Sequence, residues 1–252
     1  MKALVLLPTY NERENLPLVV GAILVHPEVS VMVIDDGSPD GTGRIADELA
    51  AASPGRLSVM HRTGKRGLGR SYRDGMKAAI GMDVDVVCQM DADFSHDPKY
   101  LPDLFAAAAH SDIVIGSRYL HGVSVVNWPL RRLILSTFAN AYVRQVTGMA
   151  VRDCTAGFRC WRREALARLP LESIFSDGYS FQVETLFYGL SAGCTVAEVP
   201  IIFVERRQGA SKMSTRVMAE SMITPWRLVV RDGRVGRAAQ PPSGYNRGGS
   251  GR

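Results

Sequence analysis

The sequence predicts an α/β domain whose mostly parallel sheet carries helices on both faces. Three observations lead there. Short apolar runs alternate with helical patterns along most of the 252 residues. Most runs are continuously apolar rather than alternating, as parallel strands covered on both faces require. Polar and glycine-rich residues cluster where those runs end, and in a parallel sheet such ends share one edge.

The predicted strands are Ala3–Leu7, Val29–Ile34, Leu57–Met60, Val84–Met90 and Ile113–Ile115. Helices are expected between them at Glu14–Leu24, Thr42–Ala52, Arg70–Gly81 and Lys99–Ala109. Asn11 with Glu14 fits a capping box for the first. Asp40 suits the N-cap of the second, and Asp97-Pro98 supplies a cap and a first-turn proline to the fourth. A longer helix is expected over Pro129–Gly148, with an apolar series at Leu130, Ile134, Phe138, Ala141 and Tyr142. Beyond it the pattern predicts a strand near Phe158–Trp161, a helix near Phe181–Leu190 and a strand at Thr195–Val204. A last helix is expected over Ser214–Val230, with Met218, Met222, Trp226 and Val229 on one side and a kink at Pro225. Residues 233–252 are rich in Gly, Pro, Ser and Arg and read as a disordered basic tail.

Hydrophobic residues make up 46%, which excludes global disorder. The formal net charge of +5 points to an anionic partner, although part of it comes from the arginines after Val230. The four cysteines, Cys88, Cys154, Cys160 and Cys194, form no C-x-x-C pair, so a zinc site is not expected and a reducing compartment is. The N-terminus shows no signal-peptide pattern, and no run of about 18 apolar residues would span a bilayer.

The strand ends carry the chemistry. The first ends in Pro8-Thr9-Tyr10-Asn11-Glu12, the second in Asp35-Asp36-Gly37-Ser38-Pro39-Asp40-Gly41. The third leads into a basic, glycine-rich stretch ending Gly67-Leu68-Gly69. The fourth ends in Asp91-Ala92-Asp93 and the fifth in Gly116-Ser117-Arg118. Two carboxylates as close as Asp91 and Asp93 repel unless a cation lies between them, and hard oxygen ligands suit Mg²⁺ or Mn²⁺. The bland alternative makes Asp93 a helix cap and Asp91 a solvated surface acid. Asp36 at a strand end suits a ribose or base contact; its alternative is an ordinary turn. The stretch Gly64–Gly69 lacks the phosphate-loop order, and no G-x-G-x-x-G follows the first strand. A nucleotide triphosphatase or a nicotinamide enzyme is therefore disfavoured.

In this order, the motifs resemble those of glycosyltransferase family 2. Gly116-Ser117-Arg118-Tyr119, Asp153 with Gly157-Phe158-Arg159, Gly178-Tyr179-Ser180-Phe181-Gln182 with Glu184, and Arg206 through Gly209, Ser211 and Lys212 narrow the resemblance to its polyprenol-phosphate (dolichol-phosphate) mannose synthases. The likeness spans about residues 2–231. It implies a GT-A fold, a Rossmann-like α/β sheet, with a nucleotide-sugar half over residues 1–117 and an acceptor-side half over 118–231. It implies GDP-mannose as donor, a polyprenyl phosphate as acceptor, and inverting transfer. Pro8, Tyr10, Glu12, Ile34, Asp36 and Asp91 are then implied to bind the donor, together with Arg118, Arg206 and Lys212. Asp91 and Asp93 are implied to hold Mg²⁺ or Mn²⁺. Where the family often has Gln as a further metal-site partner, this chain has Ser95. His96 is a poor ligand for an oxygen-preferring ion.

An in-line displacement at the anomeric carbon is the expected reaction, with Asp91, Asp93, Arg118 and Lys212 as its catalytic set. A phosphate acceptor is already anionic and needs cations more than a base; Arg118, Arg131, Arg206 and Lys212 are candidates. Asp153 would serve as base only for a sugar hydroxyl; otherwise it orients an arginine. The run Arg206–Lys212 reads as a mobile closing loop. A lipid acceptor implies peripheral contact with the inner face of the membrane from the cytoplasm, directly or through a separate membrane protein. The helices over 129–147 and 214–230 suit such an interface, with packing on the core as the alternative. Rival readings are a family 2 enzyme using a UDP-sugar or a saccharide acceptor, and a nucleotide-binding module without catalysis. A nucleic-acid partner is not expected beside an acidic cleft.

Overall fold

The computed structural model describes residues 1–204 and 215–235. In chain order the elements are β1 (Ala3–Thr9), α1 (Leu16–Leu24), β2 (Val29–Asp35), α2 (Thr42–Ala52), β3 (Leu57–His61), α3 (Leu68–Ile80) and β4 (Val86–Gln89). They continue with α4 (Leu101–Ala108), β5 (Ile113–Ser117), β6 (Val125–Val126), α5 (Leu130–Thr147), β7 (Arg159–Arg162) and α6 (Arg163–Leu166). The last are α7 (Gly178–Ser191), β8 (Val196–Pro200), β9 (Phe203–Val204) and α8 (Thr215–Asp232).

Seven strands form one sheet in the order β3-β2-β1-β4-β7-β5-β8. All neighbours are parallel except β7, which runs antiparallel between β4 and β5. The expected mostly parallel α/β sheet is therefore present. The period-2 alternation of the strands divides the core. Leu4, Leu6, Met32 and Ile34 face α3 and α7 residues such as Tyr72, Met76 and Phe181. Ala3, Val5, Leu7, Val31 and Val33 face α1, α2 and α4.

Several boundaries differ from expectation for identifiable reasons. The predicted strand at Thr195–Val204 divides at Ile201-Ile202: β8 joins the main sheet, whereas β9 pairs with β6 in a separate two-stranded sheet. Asn11 does not cap α1; it takes a left-handed φ of 60°, and the helix begins at Leu16, after a turn in which Asn15 donates to Glu12 Oε2 at 2.8 Å. The N-cap of α2 is Gly41 rather than Asp40, which stands one residue earlier and accepts at Oδ1 from Thr42 N–H at 3.0 Å. Asp97 likewise accepts from Lys99 N–H at 3.0 Å. α8 stays helical through Pro225. Residues 233–235, expected in the tail, pack on the domain instead: Val235 is buried and donates its N–H to Thr147 O at 3.0 Å. Residues 236–252, and the run Arg206–Lys212, lie outside the described residues.

The apolar series of α5 faces outward. Leu130, Ile134 and Phe138 are 69%, 59% and 58% exposed, while Val143 and Val146 pack inward. On α8, Met222 and Trp226 are exposed and Leu228 is buried. Tyr142 of the α5 series packs against the core and Val229 of the α8 series is partly buried, so each stripe is open along only part of its length. No helix among the described residues is long and apolar enough to cross a membrane.

Candidate active site

The carboxyl ends of the parallel strands β1, β2, β3, β4 and β5 lie along one edge, where open α/β sheets place ligands. The half of that edge formed by β1, β2 and β3 is a set of interlocked turns. Asp35 accepts from Ser38 Oγ at 2.5 Å and Ser38 N–H at 3.2 Å, so it builds the turn after β2. Asp36 is buried, pairs with Arg62, and accepts from Gly67 N–H at 2.8 Å. Arg62 also holds Asp74 at 2.8 Å. Tyr10 stands at the end of β1 with the Arg66 guanidinium 4.6 Å above its ring and bonded to its hydroxyl at 2.8 Å. Glu12 donates its backbone N–H to Thr42 Oγ1 at 3.0 Å. Pro8 and Ile34 are register partners at the buried floor of this edge. Arg62 and Arg66 were not singled out from the sequence; an arginine two residues before or after a glycine in a basic loop carries no signal of its own.

At the end of β4, Asp91 is partly exposed to a cavity of about 330 Å³. Tyr72 donates to its Oδ1 at 3.0 Å. Burial, with the charge of Asp91 next, pushes the Tyr72 phenol well up, so it stays a neutral donor and orients the carboxylate. Asp93 is buried and accepts from Ser95 N–H at 3.0 Å, and Phe94 between them has φ 60°. A phenylalanine in the left-handed region is a strained conformation of the kind that gathers at functional sites. His96 Nδ1 accepts from Asp91 N–H at 3.0 Å, and its ring stacks on Phe158 at 5.0 Å. Burial lowers the imidazole's pKa, and with Nδ1 taken up by the Asp91 N–H the neutral ring braces the loop. Among the described residues no group of three or more His, Cys, Asp or Glu side chains could hold a metal ion. Asp91 lines the cavity and Asp93 lies buried behind it; a carboxylate beside an open cavity suits a hard cation whose other positions come from phosphate oxygens and water.

Across the cavity, Arg118 is buried and forked onto Asp153: Nε to Oδ2 at 2.7 Å and Nη2 to Oδ1 at 2.6 Å. The backbone N–H of Arg118 adds 3.0 Å to the same carboxylate, and Nη2 reaches Thr155 Oγ1 at 2.9 Å. Burial would raise the Asp153 pKa, but the Arg118 charge and hydrogen bonds hold it below the usual range. Of its two expected roles, Asp153 takes the one of orienting an arginine. Arg118 also lies near the rings of Tyr119, Trp128 and Phe203, at 5.4, 5.5 and 5.7 Å.

Arg131 is exposed and is not among the residues around the cavity. Its neighbour Arg132 takes that place, 4.2 Å over the Trp128 ring. Helical direction separates them, because adjacent residues point about 100° apart. Beyond the arginines the wall turns apolar, through Leu135, Phe138 and Tyr142 of α5 and Met222 and Pro225 of α8. Arg206 and Lys212 lie outside the described residues.

The chain is 48% identical over 241 residues to the polyprenol monophosphomannose synthase of Mycolicibacterium smegmatis, covering 94% of this chain and 90% of that one. It is 44% identical to the undecaprenyl-phosphate mannosyltransferase of Micrococcus luteus, covering 92% and 96%. The fold resembles glucosyl-3-phosphoglycerate synthase from Mycobacterium tuberculosis, solved with Mn²⁺, UDP-glucose and phosphoglyceric acid; the TM-score is 0.64 at 22% identity, covering 94% of this chain and 81% of that one. The same enzyme has been solved with Mg²⁺ and UDP. That likeness shows a GT-A fold. Residues 4–169 match the family described as glycosyl transferase family 2, and with these relatives across nearly its whole length the chain belongs to that family.

Proposed function

We propose that the protein transfers mannose from GDP-mannose to a polyprenyl phosphate, with inversion, giving polyprenyl-phosphate mannose and GDP. The observation that carries the reading is the single cavity that joins Asp91 to Arg118 and Arg132 and then opens along apolar side chains of α5 and α8. A sugar acceptor has no use for an apolar exit; an anionic headgroup on a hydrocarbon chain has use for both. The names of the two relatives point to the same acceptor class.

In this proposal residues 1–117 hold the nucleotide sugar, through Pro8, Tyr10, Glu12, Ile34 and Asp36, and residues 118–231 hold the acceptor. A divalent ion, Mg²⁺ or Mn²⁺, held by Asp91 and Asp93 with Ser95 beside them, would neutralise charge on the departing diphosphate. Tyr72 and His96 keep the Asp91 loop in place, one through the carboxylate and one through the backbone. Arg118 and Arg132 grip the acceptor phosphate, whose oxygen attacks the anomeric carbon without a general base. Arg206 and Lys212 complete the cation set from the segment before α8. The exposed stripe Leu130, Ile134 and Phe138, with Met222 and Trp226, lies against the inner face of the membrane so that the lipid need not leave it.

Incubating the purified chain with Mg²⁺, polyprenyl phosphate and either labelled GDP-mannose or labelled UDP-sugars tests the reading. Label in the lipid fraction from GDP-mannose alone supports it. Transfer from a UDP-sugar, or to a saccharide instead of the lipid, overturns the donor or the acceptor assignment respectively.

A further inference from the structure

The Asp177 carboxylate lies outside the cavity wall yet is where the two halves of the site meet. Asp177 precedes α7, and its Oδ1 accepts from Gly178 N–H, the first residue of that helix, at 2.9 Å. The same oxygen accepts from Gly69 N–H at 2.6 Å, across 108 residues of sequence. Gly69 is the second residue of α3, a helix whose own N-cap, Gly67, offers no side-chain acceptor. One carboxylate oxygen therefore caps two helices, and its negative charge sits at two positive helix ends.

The approach is close enough to dictate sequence. A Cβ on Gly67 would stand 2.0 Å from Asp177 Oδ2, and one on Gly69 would stand 2.9 Å from both Asp177 Oδ1 and the Phe181 Cβ. The glycines of Gly67-Leu68-Gly69 are thus there to admit Asp177. On the far side of the loop, Gly67 N–H donates to Asp36 at 2.8 Å. Asp177 itself donates its backbone N–H to Glu220 Oε1 on α8 at 3.0 Å. A chain of hydrogen bonds thus runs from the end of β2, through the glycine loop and Asp177, to α8. Its neighbours Leu68, Gly178 and Ser221 line the cavity.

We propose that Asp177 is a positioning residue, which locks the donor-side loop 67–69 to the acceptor-side helices α7 and α8 so that both substrates meet in register. The kinetic part rests on the transfer reaction proposed above; the structural part does not. Asp177 does not line the cavity itself. Its loss releases the Gly69 N–H and lets the loop, with the cavity-lining Leu68, drift.

The test compares Asp177→Ala and Asp177→Asn with the unchanged chain, full length and with Mg²⁺. Hydrogen exchange of the ligand-free protein is read over residues 62–72 and 215–225, and transfer kinetics with both substrates follow. Asp177→Ala is expected to speed exchange in both segments, and to lower kcat/KM by about ten- to a hundredfold, the size of one lost charge-assisted hydrogen bond. Asp177→Asn keeps an oxygen for both N–H groups and is expected to restore most of the exchange protection and at least part of kcat/KM. Faster exchange in a protein whose unchanged form transfers no mannose would sustain the lock and remove the reaction assigned to it. An Asp177→Ala protein that folds, with exchange and kcat/KM both unchanged, overturns the proposal. A drop in melting temperature with kcat/KM intact overturns it too, because a purely structural cap would do just that.

Discussion

The two ends of the strand edge are built on opposite plans. On the side proposed for the donor, short polar contacts tie adjacent strand ends together: Asp35 with Ser38, Asp36 with Arg62, Tyr10 with Arg66. On the acceptor side, one buried ion pair, Arg118–Asp153, is ringed by aromatic side chains and leads to apolar helix faces left open. The first plan suits a polar ligand recognised by many short contacts. The second suits a ligand with one concentrated charge and a long apolar body. Each side also holds a buried ion pair that cannot be halved cheaply: Asp36–Arg62 on the first and Arg118–Asp153, with its carboxylate fully buried, on the second.

The largest effect is expected from breaking the second pair. Arg118→Ala leaves Asp153 buried without its cation, and removing one partner of a buried pair costs about 3–5 kcal/mol. Chemical denaturation should read a loss of that order. Asp91→Ala comes next in size. It should leave the midpoint of unfolding nearly unchanged and lower kcat by about 10²–10³, the usual toll of deleting one electrostatic stabiliser. Transfer should likewise stop in EDTA and return with Mg²⁺ or Mn²⁺; full activity in EDTA would end the case for a metal at Asp91 and Asp93.

Acid titration sharpens the comparison further. Asp153 binds its proton less readily when folded, so it contributes stability that is present above its ordinary value of 3.8 and lost as pH falls through the lower folded value. Asp153→Asn should flatten the stability profile between pH 5 and the acid limit, an expectation checked by thermal melts across that range. The smallest effects belong to the open helix faces. Ile134→Ala and Trp226→Ala should each weaken binding to anionic liposomes by no more than roughly tenfold, since each side chain can bury only part of its surface in the interface. Replacing one arginine in 236–252 should act similarly, at about 1 kcal/mol. Both losses should leave transfer to a short, soluble acceptor intact.

The donor side was legible in the sequence because its chemistry follows strands directly. Each of Tyr10, Asp36 and Asp91 comes at or just after the end of an apolar run, and parallel pairing brings such ends together without further information. The acceptor side was only half legible. Arg118 follows β5 and was found; its lock onto Asp153 was one of two roles open to that residue. Arg132 was missed in favour of Arg131 because only the docked orientation of α5 says which arginine faces the cavity. The stripe Leu130, Ile134 and Phe138 has the period of a core-facing helix, and no sequence pattern distinguishes burial in protein from an open apolar face. Asp177 left no trace either, since its partners lie 108 residues away and are backbone N–H groups.

The central claim is that donor and acceptor are recognised on separate sides, and Arg132→Ala tests it most directly. Arg132 is partly exposed, so its loss should not compromise folding. The measurement sets the acceptor KM of the variant beside its affinity for GDP in the absence of acceptor. The account predicts a rise of about ten- to a hundredfold in acceptor KM, the cost of one charge-assisted phosphate contact, with GDP affinity unchanged. An equal loss of GDP affinity, or an unchanged acceptor KM, would contradict it.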